Sequence, residues 1–210
     1  HNMAAGFSLK KDNLNNFVQS GYNHLLVSPN VEAMRTLNRL GLTEMGFPYY
    51  GWLIAIFTSI LQIASSMNIN LIIYGEDGEV EYGGSNETKN RPFFDAAYQK
   101  KIYFEGADSK IIKKIKAPKS QKSFFLFPED KKLKKIKTTH WSYFENWDPY
   151  RNYLTAKKYC GLKENFETNE GTFTNFAQND QALYSLHTYL MYLKFGFGRA
   201  TQDAGIEIRR

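Results

Sequence analysis

One cysteine, Cys160, stands in 210 residues, which excludes an internal disulfide and any zinc site built from several cysteines of this chain. A reducing, cytoplasmic setting fits that usage. Histidine is also scarce, at 4 residues. His140 and His187 are far apart and neither has a second ligand type at short spacing, so each reads as structural or solvent-facing. A membrane-spanning run is lacking too. The most apolar window, from Gly51 to Met67, is interrupted by Thr58, Ser59, Gln62, Ser65 and Ser66 and falls short of the roughly 18 to 20 apolar residues a span requires. It reads as a buried helix, and no membrane partner is expected. Ala4 to Leu9 is too short for a secretory leader and runs straight into Lys10-Lys11-Asp12.

Aromatic residues, by contrast, are abundant, with 14 Tyr and 16 Phe, which excludes disorder as the overall state. The length suits one domain with a substantial core and a smaller appended lobe. A net charge of +6 favours anionic partners: nucleotides, sugar nucleotides, nucleic acid or a membrane surface. Much of that charge sits between Lys110 and Lys137, where eleven lysines are threaded with Ile111, Ile112, Ile115, Phe124, Phe125, Leu126 and Phe127. The stretch has no arginine and no recognised RNA or DNA motif, so a nucleic-acid partner is not expected. An inserted substrate lobe with solvated lysine faces is the expectation. A non-catalytic module that binds an anionic partner through these lysines is the alternative.

The densest chemistry lies in Leu71-Ile72-Ile73-Tyr74-Gly75-Glu76-Asp77-Gly78-Glu79-Val80-Glu81-Tyr82-Gly83-Gly84, where an apolar run breaks into four carboxylates and four glycines. The run from Asn70 to Tyr74 suits a strand buried on both faces of a parallel sheet. The stretch from Gly75 to Gly84 is then a loop at the strand's carboxyl end, the edge at which open α/β sheets bind ligands. Carboxylates among glycines can hold Mg²⁺ or stabilise a cationic group; a solvated acidic turn is the alternative.

Helices are expected from Asp12 with a stop at Gly21, from Asn30 with a stop at Gly41, and over Gly51 to Met67, with a strand at His24–Ser28 between the first two. Farther on, Asp148-Pro149 starts a helix that Gly161 ends, with Trp147 before it as a packing staple or a stacking residue. Leu183, Leu186, Leu190 and Leu193 mark another, stopped at Gly196. Arg199 comes next, in a segment that either grips phosphate or carboxylate or forms a terminal helix with surface ion pairs. The fold class is α/β, a parallel sheet with flanking helices over 4–104, succeeded by a mainly helical region over 105–210 that contains the lysine-rich insert 110–137. Two strands are too few for a complete doubly wound domain.

Four blocks carry a family resemblance: Gly75-Glu76 with Glu81-Tyr82-Gly83-Gly84; Trp147-Asp148; Gly171-Thr172-Phe173-Thr174-Asn175; and Lys194-Phe195-Gly196-Phe197-Gly198-Arg199-Ala200-Thr201. In this order they resemble the N-acetyl sugar amidotransferases of lipopolysaccharide O-antigen and flagellin glycan pathways, including the pseudaminic acid branch, which belong to the ATP-pyrophosphatase (PP-loop) group. The resemblance implies an adenine nucleotide alpha hydrolase-like fold, incomplete at its amino end. It also implies conversion of a sugar N-acetyl group to acetamidino with ATP, Mg²⁺ and ammonia, the ammonia coming from a separate glutaminase subunit. The implied catalytic residues are Glu76, Glu79 and Glu81, with Glu76 and Glu81 on Mg²⁺. The sugar or sugar nucleotide falls to Tyr82, Gly83, Gly84, Trp147, Asn175, Arg199, Asp203, Glu207 and Arg209. The family's Ser-Gly-Gly-x-Asp-Ser phosphate loop and amino-terminal cysteine pairs are absent from this sequence. The chain is therefore expected to be a carboxyl-terminal portion, inactive alone.

Overall fold

A computed structural model describes residues 3–75, 86, 91–104, 112–128, 131–179 and 181–209, the side chains of 3–8 and 132 excepted. The chain divides into two compact units, one of Val27–Asn146 and one of His1–Leu26 with Trp147–Arg210. The boundary expected near 104 thus falls inside the first of these. The reason is that Phe104 packs in one core with Ile112, Ile115 and Phe125 from the lysine-rich segment.

Helix α1 (Met3–Val18) belongs to the second unit, and the Val27–Asn146 unit begins with α2 (Val31–Met45) and α3 (Tyr50–Ser66). Asn30 caps α2 by accepting the Ala33 N–H at 2.9 Å. Gly41 does not stop this helix, which runs on to a left-handed Gly46. Gly41 is instead a contact point, because a Cβ there would collide with the Tyr50 side chain and the Phe47 carbonyl. Gly51 does the same from α3, where a Cβ would lie 2.8 Å from Leu37 Cβ. Two glycines let the backbones approach, and Asn38 Oδ1 accepts the Gly51 N–H at 2.8 Å across the contact.

Helix α3 is the centre of both cores. Ile54, Ala55 and Phe57 pack with Leu37, Tyr50, Phe104 and Phe125, and Leu61 and Ala64 pack with Ile72, Ala96, Leu133 and Ile136. The polar residues Thr58 and Gln62, which interrupt its apolar run, have partners. Thr58 donates to the Ile54 carbonyl at 2.7 Å and to the Phe124 carbonyl, and Gln62 Nε2 donates to Ser123 O at 2.9 Å and Leu126 O at 3.0 Å. These bonds fasten the lysine-rich segment, which forms 3₁₀ turns at Lys119–Phe125 and Lys131–Lys135, to the helix.

Strand β1 (Leu71–Tyr74) pairs in parallel with β2 (Lys137–His140), in a register that sets Leu71 against Lys137 and Tyr74 against His140. The two-sided burial expected for β1 does not hold. Ile72 is buried with Leu61 and Ala64 of α3, whereas Leu71 and Ile73, on the other face of β1, are 48% and 51% exposed. Helix α4 (Ala96–Ile102) comes after β1, capped by Asp95, and Phe94 bridges to Thr138.

The other unit holds α1, α5 (Pro149–Cys160), α6 (Tyr184–Phe195) and α7 (Arg199–Arg209). Asp148 accepts the Arg151 N–H at 2.8 Å, Pro149 fills the first turn, and left-handed Gly161 and Gly196 end α5 and α6. Asn13 on α1 donates to Lys163 O at 2.9 Å and accepts from Lys163 N at 2.8 Å, and Asn16 donates to Gly161 O at 2.7 Å. The expected strand at His24–Ser28 is irregular, with Leu25 and Leu26 exposed. Among the described residues no helix is long and apolar enough to cross a membrane.

Candidate functional site

Between α5 and α6 the chain from Asn165 to Asn179 has no regular structure, and four asparagines hold it in shape. Asn165 N donates to Asn175 O at 2.9 Å, and Asn175 Nδ2 returns a bond to Asn165 O at 2.8 Å. Asn165 Nδ2 also donates to Asn179 Oδ1 at 2.8 Å, and Asn169 Nδ2 reaches the Ala177 carbonyl and Asn179 Oδ1. Asparagine amides donate and accept at once, so four of them substitute for a strand ladder. Phe176 fastens the loop to α5 by stacking on Tyr153 at 4.4 Å between ring centroids.

The loop is latched to the start of α7. Gly171, with φ of +78°, turns its carbonyl to accept the Ala200 N–H at 2.9 Å. Thr172 donates its hydroxyl to Asp203 Oδ2 at 2.5 Å. The other oxygen, Oδ1, accepts from Arg199 Nε at 2.8 Å, and both residues of this ion pair are buried. Residues four apart share one helix face, so Arg199 and Asp203 meet by the geometry of α7 alone.

Of the expected substrate-binding residues, the loop and its latch bring together Asn175, Arg199 and Asp203. The latch also corrects part of the reading of Arg199, whose Nε is committed to a buried carboxylate rather than to a surface pair. Glu207 is half-buried and Arg209 exposed farther along α7. Trp147 is half-buried, its indole N–H enclosed and without a hydrogen-bond partner among the described residues. Glu76, Glu79, Glu81, Tyr82, Gly83 and Gly84 lie outside the described residues. Among the described residues no cluster of His, Cys, Asp and Glu could hold a metal ion. Sequence reasoning misses Asn165, Asn169 and Asn179. Their recurrence in a stretch without apolar periodicity is the available signal.

It also misses the setting of His187 on α6. Burial, and then the positive charges of Arg199 and Lys194, hold its pKa below the usual histidine value of 6.5. The imidazole is therefore neutral at pH 7. In the unfolded chain the same group takes a proton more readily, so stability falls as pH drops through the unfolded value of 6.5 toward the lower folded one. The thermal midpoint should decline over that window, and His187→Gln should flatten the decline; an unchanged slope in the variant would assign it to other groups.

Comparison with known families reaches this same part of the chain. Residues 170–210 match the family model described as LPS biosynthesis protein WbpG-like, C-terminal domain. The match begins at the latch loop and runs through α6 and α7, so the segment that resembles a lipopolysaccharide-biosynthesis domain is the one wired by Gly171, Thr172, Arg199 and Asp203. A search of curated proteins found no match for the chain.

Proposed function

We propose that the chain is part of an ATP-dependent amidotransferase that converts a sugar N-acetyl group to an acetamidino group with ammonia, in the assembly of a surface glycan. The observation that carries the reading is the match of residues 170–210 to a lipopolysaccharide-biosynthesis domain over the latch itself. Support also comes from the carboxylate-rich stretch, which in the chain comes directly after the carboxyl end of β1, a strand in a parallel pair. ATP and Mg²⁺ come from the resemblance alone. The described residues offer neither a glycine-rich phosphate cradle at a helix start nor a carboxylate cluster.

On this reading the chain's own residues supply a rigid wall. The asparagine-wired loop and the Arg199–Asp203 pair fix the backbone around Thr172 to Asn175, and neutral His187 on α6 can accept a proton. The decisive experiment is genetic and chemical. Inactivating the gene in its source organism should leave N-acetyl groups where the wild-type surface glycan carries acetamidino groups, read by mass spectrometry and by NMR of the amidine carbon. An unchanged amidine content would overturn the proposal.

A further inference from the structure

Two features of the Val27–Asn146 unit remain outside that reading: a set of exposed lysines and a group of exposed aromatic side chains that adjoins it. The lysine-rich segment is not a solvated tail. Ile112, Ile115, Phe125, Leu133 and Ile136 are all buried in the two cores, and Thr58 and Gln62 bind the backbone from Ser123 to Leu126. With its apolar side chains fixed inward, the segment must present its lysines outward. Lys114 pairs with Glu44, whereas Lys113, Lys116, Lys119, Lys131, Lys134 and Lys135 are exposed and have no ion pair among the described residues.

Lys137, the first residue of β2, joins this basic segment to the aromatic group. Its ammonium lies 5.5 Å from the centroid of the Phe93 ring. Phe93 in turn neighbours Phe144 at 6.3 Å, and Phe144 meets Tyr143 edge-on at 5.5 Å and 73°. Trp141, Tyr143 and Phe144 are each about half exposed, as are Leu71 and Ile73 of β1.

We infer that this unit docks on an anionic lipid surface, its lysines against the headgroups and Phe93, Trp141, Tyr143 and Phe144 at the interface. Lysine clusters are attracted to acidic headgroups without needing a defined geometry, and Trp and Tyr favour the headgroup level because their rings are amphipathic. Single-stranded nucleic acid is the competing polyanion, and three features disfavour it. The segment has no arginine. Its exposed rings meet edge-on or tilted rather than forming a row on which bases could stack. The neighbouring exposed residues include aliphatic Leu71 and Ile73, which suit acyl chains and offer bases no stacking face. The absence of a spanning helix among the described residues is no obstacle, since a peripheral surface needs none.

The test is co-sedimentation of the full chain with vesicles of phosphatidylcholine, alone and mixed with phosphatidylglycerol. Binding should require phosphatidylglycerol and weaken as sodium chloride is raised. Each neutralised lysine should lower the partition coefficient roughly fivefold, so Lys134→Gln with Lys135→Gln should lower it roughly 25-fold. Lys11→Gln with Lys158→Gln, which removes the same charge from the other unit, should leave it within about twofold if the attraction is local rather than set by net charge. Trp141→Ala should weaken vesicle binding while the thermal midpoint, measured beside it, stays put. Equal binding to neutral vesicles, an equal loss in both lysine pairs, or tighter and more salt-resistant binding to single-stranded DNA than to the vesicles would overturn the inference.

Discussion

Asp203→Ala is expected to cost about 3 to 5 kcal/mol of stability, because it removes one side of a buried ion pair, the carboxylate that faces the Arg199 guanidinium. The loss has a second part. Asp203 Oδ2 also receives the Thr172 hydroxyl, so the variant removes one of the bonds between the loop and α7 at the same time, the Gly171–Ala200 backbone bond remaining. Arg199→Met combined with Asp203→Leu removes both buried charges together and should recover most of the loss, since apolar side chains of similar size can replace a buried ion pair at little cost. Urea unfolding of wild type and the two variants checks this. If Asp203→Ala alone stayed within about 0.5 kcal/mol of wild type, the range of ordinary surface substitutions, the pair would not be acting as a structural latch.

Phe125→Ala is expected to cost a similar amount, about 3 to 5 kcal/mol, by the different route of a cavity in the core. Phe125 is fully buried among Phe57, Phe104, Ile112 and Ile115, and it closes a 3₁₀ turn whose backbone Gln62 and Thr58 hold. The surroundings have little freedom to collapse, because the neighbouring ring Phe57 is itself stacked on Tyr103 at 4.5 Å. Phe166, fully exposed in the other unit, makes the control: its replacement by alanine should change stability by no more than about 0.5 kcal/mol. Equal losses for the two phenylalanines in chemical denaturation would contradict the burial on which the expectation rests.

Where local chemistry decides structure, the sequence is readable. Asp148-Pro149 starts α5 and Gly161 and Gly196 end α5 and α6, because a carboxylate cap, a proline in the first turn and a left-handed glycine each act within a few residues. The interrupted apolar window is the core helix α3, because a run so rich in apolar residues is buried whatever its partners. Where the deciding partner is distant, sequence reasoning fails. Gly41 reads as a helix stop, yet its meaning depends on Tyr50 across a helix–helix contact. The composition of β1 implies burial on both faces, whereas exposure of Leu71 and Ile73 depends on what covers the sheet. The i, i+4 spacing of Arg199 and Asp203 is visible in the sequence, but Thr172 is 31 positions from Asp203, and nothing local announces that bond. The acidic stretch from Glu76 to Gly84 lies outside the described residues, so its part in the site rests on sequence.

The order of the two units along the sequence, one contiguous and the other split around it, bears on how the chain is made. Residues of the Val27–Asn146 unit are contiguous, so they leave the ribosome as one complete set and can consolidate both cores around α3 before synthesis ends. Helix α1 has no such neighbour at hand. Its partners at Gly161 and Lys163 lie far along the chain, Lys163 being 150 positions after Asn13, and the latch beyond them is translated later still. Helix α1 is thus held in waiting while the whole contiguous unit is made, and its docking carries the long loop-closure cost that slows non-local assembly.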